Sequence, residues 1–315
     1  MTTIPVILDG DPGHDDAIAW VLAKASPQLD ILAVTTCCGN QTLEKTTYNA
    51  GRIMALIGLD VPLAAGRTKP LLSDPMVAPS VHGVTGLDGP DLPLPLREPL
   101  AIDAATLMAQ CIEQQGEQVV LIPTGPLTNI AAFLLLYPHL KNKVRHIYLM
   151  GGGIGHGNWT PAAEFNILVD PEAADLVFRS GIPITMAGLD VTEQALLYLS
   201  DFDRIAAIGS EVAKVTSGWL EFFFQFHQTL GYRGAPVHDA VAVAALIRPD
   251  LLTFREMYVE IETAGDYSRG ATVGDIYQIS GKPSNVRCVM DIDREGFVDL
   301  LVDAVGFYGK GIADA

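Results

Sequence analysis

Strand-like and helix-like segments alternate through the first part of this 315-residue chain. Short runs rich in β-branched and other apolar residues are each followed by a stretch with helical character, a pattern typical of a parallel sheet covered by helices. The strand-like segments are 4–8, 31–35, 119–123, 146–150 and 182–187, and the helix-like segments are 17–25, 43–57, 127–137 and 171–180. The alternation predicts an α/β fold: an open, mostly parallel sheet flanked by helices, with a Rossmann-like core.

The remainder of the chain adds elements to this core. We expect a helical region over 191–230, a helix from about Asp239, a late strand pair formed by 256–262 and 286–293, and a C-terminal helix over 294–307. The proline-rich segment 68–100 shows almost no periodicity, which predicts a long excursion over the sheet edge. Because no clear linker interrupts these segments, we predict a single domain over residues 1–315.

The composition argues against several classes of partner. The formal net charge is −17 and no basic run compensates it, so nucleic acid and anionic membrane surfaces are not expected partners. The N-terminus has no basic region followed by an apolar signal segment, and no apolar stretch approaches the roughly 20 residues that span a bilayer. The four cysteines lack the spacing of a metal site and are expected to be reduced. These features predict a soluble cytoplasmic protein.

Four aspartates, Asp9, Asp11, Asp15 and Asp16, lie within eight residues directly after the first strand-like segment. In an open α/β sheet, ligands bind where strands end and helices begin. One aspartate could cap the following helix, but capping does not use four. The excess predicts a hard cation, Ca²⁺ or Mg²⁺, held by oxygen ligands, since zinc would recruit histidine or cysteine as well. The alternative is a capped, solvated acidic turn.

Three further polar segments follow strand-like runs, namely 38–40, 123–129 and 151–166, and are expected at the same edge of the sheet. The glycine run 151–157 lacks the spacing and the following helix of a dinucleotide-binding motif, so it predicts close backbone approach to another ligand. Glu164 and Asn166 would share one side of an extended segment, which suits hydrogen bonding to vicinal hydroxyls. An exposed polar loop is the alternative.

Single histidines and one late aspartate are ambiguous when taken alone. Asp239 precedes an apolar helix, where a helix N-cap is its default use. His82, His156 and His227 are, individually, more typical of surface histidines than of catalytic ones. The aromatic-rich segment 219–227 favours packing over cofactor binding.

Taken together, these segments resemble the nucleoside hydrolase family, enzymes that cleave the N-glycosidic bond of ribonucleosides. The family fingerprint D-x-D-x-G-x-D-D-A is present at 9–17, and the resemblance covers essentially the whole chain. Further matching segments are 39–41, 82–83, 123–125, 149–152, 163–166, 170–174 and 237–239. The stretch 159–192 is most similar to the bacterial pyrimidine-preferring branch.

The resemblance implies a Ca²⁺ ion and a ribose-binding pocket. The implied metal ligands are Asp11, Asp16, Asp239 and the backbone carbonyl of Thr124, and one divalent ion would relieve the repulsion among the carboxylates. The residues expected to hydrogen-bond the ribose hydroxyls are Asp15, Asn40, Asn158, Glu164 and Asn166. The other substrate-binding residues that it implies are Met150, Phe165, His227 and Tyr232.

The resemblance also implies a mechanism in which water displaces the base at the anomeric carbon through an oxocarbenium-like transition state. Asp11 is the expected general base. His238 and His82 are the expected donors of a proton or hydrogen bond to the leaving base. Members of the family act in nucleoside salvage and are usually homotetramers or dimers, so we expect a homo-oligomer.

Base preference and function class leave alternatives open. Leu230 stands where the bacterial pyrimidine-preferring enzymes carry an aromatic residue, so His227, Tyr232 and Arg233 are all candidates for the base contact. A pyrimidine preference is expected, with a purine-preferring or non-specific hydrolase as the alternative. A Mg²⁺-dependent phosphohydrolase would need a basic phosphate clamp, and none is evident. A non-catalytic Ca²⁺- or ribose-binding module would have no use for Asp11 and two proton donors.

Overall fold

The computed structural model describes residues 3–309 and confirms the predicted α/β architecture. The strands are β1 (Ile4–Gly10), β2 (Leu29–Thr36), β3 (Leu63–Ala65), β4 (Val119–Pro123), β5 (Val144–Met150), β6 (Ile184–Ala187), β7 (Leu196–Leu197), β8 (Ala235–Pro236), β9 (Leu252–Met257), β10 (Val259–Ile261), β11 (Thr272–Gly274) and β12 (Val286–Ile292). The helices are α1 (His14–Ala25), α2 (Leu43–Ile57), α3 (Pro79–His82), α4 (Ala104–Gln114), α5 (Thr128–Leu136), α6 (Phe165–Val169), α7 (Pro171–Phe178), α8 (Leu189–Thr192), α9 (Leu199–Ala206), α10 (Glu211–Thr229), α11 (His238–Ile247) and α12 (Arg294–Phe307), with short 3-10 helices at Pro138–Lys143 and Pro249–Leu251.

The main sheet has eight strands in the order β3-β2-β1-β4-β5-β6-β12-β9. All neighbours are parallel except β12 and β9, which are antiparallel. The chain proceeds outward from β1 in both directions, through β2 to β3 on one side and through β4 to β6 on the other. This reversal of strand order creates a crevice at the carboxyl ends of β1 and its neighbours, the usual ligand position in such sheets.

Alternate residues of the central strands point to opposite faces of the sheet and build two separate apolar cores. In β1, Val6 and Leu8 belong to one core and Ile7 to the other. The first core also buries Trp20 of α1 and Trp219 of α10 almost completely. Because both faces are covered, β1 is uncharged and apolar from Ile4 to Leu8 and β4 is apolar throughout, and the polar residues of the site follow where these strands end.

The late strand pair is only partly as predicted. β9 pairs with β12 through Met257 and Val286, but the strand direction is interrupted at Tyr258. The side chain of Asn285 accepts a hydrogen bond from the backbone N–H of Val259 at 2.8 Å and so replaces a ladder partner. Residues 259–261 therefore leave the main sheet and pair with β11.

The helical region predicted over 191–230 is interrupted. β7 pairs antiparallel with β8, and a turn with Gly209 at φ +76° separates α9 from α10. The hydroxyl of Ser210 then caps α10 by accepting from the N–H of Ala213 at 3.2 Å. The excursion 68–100 holds only the short helix α3 among its described elements, as its lack of periodicity predicts. Within residues 3–309, no helix has the length and apolar character to cross a bilayer.

Candidate active site

A cavity opens at the carboxyl edge of the sheet, and the polar segments predicted to meet there do so. Thirteen of the predicted site residues line it: Asp15, Asn40, His82, Thr124, Met150, Asn158, Glu164, Phe165, Asn166, His227, Tyr232, His238 and Asp239. Asp11 and Asp16 are completely buried and contact the cavity wall through Asn40. Arg233, the third candidate for a base contact, is exposed and does not line the cavity.

The turn between β1 and α1 holds Asp16 in place. Gly13 is the N-cap of α1, and the Asp16 carboxylate reaches back to accept a hydrogen bond from its N–H at 3.0 Å. The other oxygen of Asp16 accepts from the hydroxyl of Thr124 at 2.6 Å. Asn40 adds a longer contact through its side-chain amide at 3.3 Å. One aspartate, Asp16, thus stabilises the start of α1, as predicted, and also lies in the site.

Asp11 is enclosed by glycine backbone. The N–H of Asn40 donates to Asp11 Oδ2 at 2.6 Å, whereas Oδ1 is buried without a hydrogen-bond partner among the described residues. A Cβ atom on Gly39 would lie 2.0 Å from Oδ2, and one on Gly125 would lie 2.4 Å from Oδ1. Both positions therefore require glycine for the carboxylate to fit.

We call Asp11, Asp15, Asp16 and Asp239 the acidic cluster. Carboxylate oxygens of Asp15, Asp16 and Asp239 lie within 4.8 Å of one another. The trio that comes together thus contains Asp15, predicted to bind ribose, while the predicted ligand Asp11 lies outside it. None of the ion pairs among described residues involves these aspartates. Negative charge here is uncompensated by the protein.

Burial raises the pKa of every member of the acidic cluster, and repulsion by neighbouring carboxylates adds to this for Asp11, Asp15 and Asp239. The pKa of Asp15 is raised to about 8 and that of Asp16 to about 6, with loss of hydration as the main cause in both. The pKa of Asp11 and that of Asp239 also lie well above the ordinary carboxyl range. Asp11 Oδ1 and Asp15 Oδ1 are buried without a donor among the described residues. Buried carboxyl oxygens that have neither a protein cation nor a hydrogen-bond donor fit a hard divalent ion.

Asp9 lies outside the cavity and supports the turn. Its Oδ1 accepts from the hydroxyl of Thr35 at 2.6 Å and from the side-chain amide of Asn129 at 2.8 Å. Burial raises the pKa of Asp9 to about 7. Asn129 also donates to the carbonyl of Thr36 at 2.9 Å, so it ties the ends of β1 and β2 to α5.

Glu164 and Asn166 line the cavity, but the extended arrangement predicted for them is wrong. Glu164 is the N-cap of α6, and its carboxylate accepts from the N–H groups of Asn166 at 2.9 Å and Ile167 at 3.1 Å. The free N–H groups of a helix start favour this local fold over an extended one. The N–H of Gly152 donates a third hydrogen bond at 2.8 Å, which fixes the glycine loop to the carboxylate.

Two further contacts shape this wall. Asn166 Nδ2 donates to the carbonyl of Thr124 at 2.9 Å, so the predicted metal-binding carbonyl is held by a residue predicted to bind ribose. Asn158 Oδ1 accepts from the N–H of Phe165 at 3.0 Å, which leaves the amide group of Asn158 free to donate to a ligand.

In the glycine run, Gly152 adopts φ +77° and a Cβ there would lie 2.6 Å from the hydroxyl of Thr272.

His14, His82, His227 and His238 form a second group, which we call the histidine cluster. His238 begins α11 and its Nδ1 lies 2.8 Å from the hydroxyl of Thr192. Val237, not Asp239, is the N-cap of α11, so the default capping use of Asp239 is wrong and its carboxylate is free for the acidic cluster. Burial lowers the pKa of His238 to about 3.

The other histidines surround Phe223 of α10. The ring of His82 stacks on Phe223 at 5.3 Å and on His14 at 5.4 Å between centroids, and Phe223 contacts His227 edge-on at 4.3 Å. His82 and His227 are both buried, so the surface position expected of an isolated histidine is wrong for them. His156 is exposed, as expected of an isolated histidine, and its Nε2 lies 2.9 Å from a carboxylate oxygen of Glu193.

Sequence reasoning missed His14, Thr192 and Glu193. His14 occupies a variable position of the fingerprint. Its location among four aspartates was the one feature of the sequence that could have marked it as a site residue. Glu193 accepts a hydrogen bond from the hydroxyl of Tyr232 at 2.6 Å and also contacts His156, thereby tying the glycine loop to the chain after α10. No local pattern marks Thr192 or Glu193, because their partners are distant in sequence.

Comparison with known proteins agrees with the predicted family and fold. Residues 6–299 match the family model of inosine-uridine preferring nucleoside hydrolases. The pyrimidine-specific ribonucleoside hydrolase RihA of Shewanella sp. (strain ANA-3) is 54% identical over 307 residues, covering 96% of each chain. The protein of the same name from Escherichia coli O8 (strain IAI1) is 49% identical over 308 residues, covering 97% of this chain and 99% of its own.

Solved structures give the same result. A purine-preferring ribonucleoside hydrolase from Gardnerella vaginalis has a TM-score of 0.91 at 30% identity, covering 97% of this chain and 99% of its own. The plant nucleoside hydrolase PpNRh1 has a TM-score of 0.89 at 29% identity with the same coverage. Fold, site and relatives define a glycosidase, as predicted. The chain belongs to the inosine-uridine preferring nucleoside hydrolase family.

Proposed function

We propose that this protein is a Ca²⁺-dependent ribonucleoside hydrolase that prefers pyrimidine nucleosides and releases free base and ribose. The observation that carries the proposal is the acidic cluster, whose buried oxygens lack a protein cation, facing the same cavity as the histidine cluster. Relatives named pyrimidine-specific, about half identical over nearly the whole chain, support the substrate class.

The ion would be held by Asp11, Asp16, Asp239 and the carbonyl of Thr124, and Asp15 is close enough to contribute an oxygen. This all-oxygen donor set suits Ca²⁺, which accepts six to eight oxygen ligands in flexible geometry. When bound, Ca²⁺ would neutralise the carboxylates, coordinate ribose hydroxyls and acidify water near it. Every other role proposed below belongs to a side chain of this protein.

The ribose hydroxyls would be hydrogen-bonded by Asp15, Asn40, Asn158, Glu164 and Asn166. The unused amide group of Asn158 and the buried, unpartnered Oδ1 of Asp15 support this role. A sugar that lacks the hydroxyl bound by Asp15 would leave this buried carboxyl oxygen without a partner, which is costly. We therefore expect strong discrimination against deoxyribonucleosides.

Asp11 would act as general base toward the water that attacks the anomeric carbon. Its unpartnered Oδ1 is available to accept the proton of the attacking water. Surrounding carboxylates would also stabilise the positive charge that develops on the ribosyl group.

His238 would donate a hydrogen bond or proton to the departing base, with His82 as the second candidate. The hydroxyl of Thr192 can donate to Nδ1 of His238, which would leave the proton of the neutral ring on Nε2. Because burial keeps His238 neutral at pH 7, this tautomer is what allows it to donate. Base anions are poor leaving groups, so such donation would matter most for natural nucleosides.

The base would lie against Met150, Phe165, His227 and Tyr232. Tyr232 already donates its hydroxyl proton to Glu193, so toward the base it would act as an acceptor. A purine-preferring relative shares the fold at 30% identity, whereas the relatives at about 50% identity carry the pyrimidine-specific name. The pyrimidine assignment rests on this difference in similarity.

Action in nucleoside salvage, a cytoplasmic location and a homo-oligomeric assembly stay predictions.

A substrate panel tests the proposed function. The purified protein, with Ca²⁺ added, is incubated with uridine, cytidine, inosine, adenosine, 2′-deoxyuridine and p-nitrophenyl phosphate. We expect free base and ribose, fastest from uridine or cytidine, loss of activity after chelation with EGTA, and recovery with Ca²⁺. Faster inosine cleavage would overturn the pyrimidine preference, phosphate release would favour a phosphohydrolase, and binding without turnover would favour a binding module.

A further inference from the structure

Glu193 joins two separate segments of the chain in the wall of the cavity. One carboxylate oxygen, Oε1, accepts a hydrogen bond from the hydroxyl of Tyr232 at 2.6 Å, and the other, Oε2, lies 2.9 Å from Nε2 of His156. His156 belongs to the glycine run 151–157, whereas Tyr232 follows α10. The proposed function leaves this carboxylate without a role.

The glycine run is also bound to α8 by a second acidic residue. Asp190 accepts hydrogen bonds from the N–H of Ile154 at 2.7 Å and from the N–H of Gly155 at 2.9 Å. Asp190 and Glu193 are three residues apart, at the first turn and the C-cap of α8, which places them on the same side of this helix. Asp190 therefore holds the backbone of the glycine run, and Glu193 holds its side chain His156.

The end of α10 determines where the ring of Tyr232 lies. Gly231 adopts φ +88°, and its N–H donates to the carbonyl of Gln228 at 3.1 Å. The N–H of Tyr232 donates to the carbonyl of His227, also at 3.1 Å. These two hydrogen bonds form the Schellman helix ending, which turns the chain back on the helix. The ring of Tyr232 then contacts His227 edge-on, with centroids 5.4 Å apart.

The carboxylate of Glu193 determines the direction of the Tyr232 O–H bond. The Glu193 side chain is 25% exposed and lies beside a histidine, so it is ionised at neutral pH and both of its oxygens can only accept. Tyr232 then donates its single hydrogen to Glu193, and its hydroxyl offers a lone pair to the cavity. Burial and the carboxylate of Glu193 raise the pKa of Tyr232 above its ordinary value, which keeps this hydrogen in place.

We propose that Glu193 is a positioning residue that sets base specificity: it clamps the glycine run to Tyr232 and makes the Tyr232 hydroxyl an acceptor for an N–H group of the base. This inference rests on the proposed function and deepens it, because it names the chemical feature that a favoured base carries. Uracil offers its N3–H group and cytosine its 4-amino group, so both can donate to Tyr232. The leaving group of p-nitrophenyl riboside has no N–H to donate.

Steady-state kinetics on uridine and p-nitrophenyl riboside tests this role. In Glu193→Ala the Tyr232 O–H bond is no longer directed away from the base, so KM for uridine should rise about threefold with little change in kcat. KM for p-nitrophenyl riboside should change by less than about twofold, because this substrate lacks the hydrogen bond. Glu193→Gln keeps an acceptor of the same length and should recover part of the affinity for uridine. Glu117→Ala, at an exposed position, is the matched control.

A double-variant cycle separates action through Tyr232 from general damage. If Glu193 acts through the Tyr232 hydroxyl, Glu193→Ala should add little to the rise in KM for uridine once Tyr232→Phe is present. Additive rises in KM would overturn the positioning role. A fall in kcat on both substrates in Glu193→Ala would also overturn it, because that result indicates damage to the site as a whole.

Hydrogen exchange followed by mass spectrometry tests the clamp without any substrate. In Glu193→Ala and in His156→Phe, the backbone N–H groups of a peptide that covers 151–160 should exchange about threefold faster or more, with no change in Glu117→Ala. Unchanged exchange in Glu193→Ala would overturn the clamp. If the unaltered protein cleaves no nucleoside, the proposed function fails, whereas the exchange result still decides whether Glu193 holds the glycine run.

Discussion

The acidic cluster and the histidine cluster meet in one cavity but are built in different ways. The acidic cluster follows the central strand β1 and the start of α11, and glycine backbone and the N–H groups of Gly13 and Asn40 fix its carboxylates. The histidine cluster is assembled partly from peripheral elements, with His82 on the short helix α3 and His227 near the end of α10. Its members are held by ring stacking and by hydrogen bonds of their ring nitrogens.

This difference indicates where the chemistry is rigid and where it can vary. Strand ends of a doubly covered sheet are among the most fixed positions in such a fold, and in the proposed function they would carry the metal and ribose contacts that every ribonucleoside shares. In the proposed function the peripheral elements would face the base, which differs between substrates. Specificity can therefore change by substitution around α3 and α10 without disturbing Asp11, Asp15 or Asp16.

The largest effect is expected from Asp11→Asn. The amide retains the shape of the carboxylate but neither accepts the proton of the attacking water nor offers an anionic oxygen to the ion, so kcat for uridine should fall about 10³-fold or more. Steady-state kinetics with Ca²⁺ present measures the loss, and circular dichroism checks the fold. Asp91→Asn, at an exposed position, is the control. Near-normal turnover in Asp11→Asn would remove Asp11 from the role of base.

His238→Ala should produce the next largest loss. Removal of the donor to the departing base should lower kcat for uridine about 10²-fold, within the usual range for a single general acid. The acidic cluster remains, so Ca²⁺ affinity measured by calorimetry should be unchanged. His139→Ala serves as the matched control. A parallel loss of Ca²⁺ binding would show that the two clusters are not independent.

Gly125→Ala tests the close packing of the acidic cluster. The new Cβ would lie 2.4 Å from Asp11 Oδ1, so the carboxylate must move and kcat should fall about tenfold, with destabilisation of about 1–3 kcal/mol from overpacking. Gly116→Ala is the control, because nothing lies within 4 Å of its Cβ. Activity and the free energy of unfolding are both measured. An unaltered Gly125→Ala enzyme would argue against a rigid acidic cluster.

The pH dependence of stability should differ with and without Ca²⁺. In the metal-free protein, burial raises the pKa of Asp16 to about 6 and of Asp15 to about 8, from an ordinary value of 3.8. A group whose folded-state pKa is raised loses its contribution as pH rises toward that pKa, so Tm in EGTA should fall between pH 5 and pH 8. Saturating Ca²⁺ should raise Tm at pH 8 by about 5 °C or more. A Tm in EGTA that rises over this range would contradict the uncompensated acidic cluster.

The smallest effect is expected from Tyr232→Phe. The substitution removes the hydrogen bond to Glu193 and the acceptor toward the base, so KM for uridine should rise about threefold with little change in kcat. Kinetics on uridine and inosine would show whether the ratio between the two substrates changes. Tyr267→Phe is the matched control, because Tyr267 is 94% exposed. A large fall in kcat would place Tyr232 in the chemistry of the reaction.

The sequence predicts the acidic cluster better than the histidine cluster, for a physical reason. The strand and helix patterns of apolar residues within residues 4–25 are local properties of the sequence. They place Asp11, Asp15 and Asp16 at a strand end before any tertiary contact is known. By contrast, the contact between His14 and His82 joins two turns that are far apart in the chain, so no local pattern reports it. The interruption between β9 and β10 at Tyr258 likewise depends on Asn285, which is distant in the chain.

Helix termini account for the other differences. The predicted extended form of Glu164 and Asn166 gave way to a short helix, because the Glu164 carboxylate satisfies free N–H groups at its start. The default N-cap at Asp239 is wrong because α11 begins at His238 and its N-cap is Val237, two residues before Asp239. Both positions still face the cavity. The residue set was therefore predictable, while the local geometry that orients it was not.

The most direct test compares two substrates in two variants. The ratio of kcat/KM for uridine to that for p-nitrophenyl riboside is measured in Asp11→Asn and in His238→Ala against the unaltered enzyme, all with Ca²⁺. If the acidic cluster activates water and the histidine cluster activates the base, both substrates lose activity equally in Asp11→Asn, and the ratio is unchanged. In His238→Ala the ratio should fall about 10²-fold, because only uridine needs its leaving group activated. Equal shifts of the ratio in both variants would contradict this division of roles.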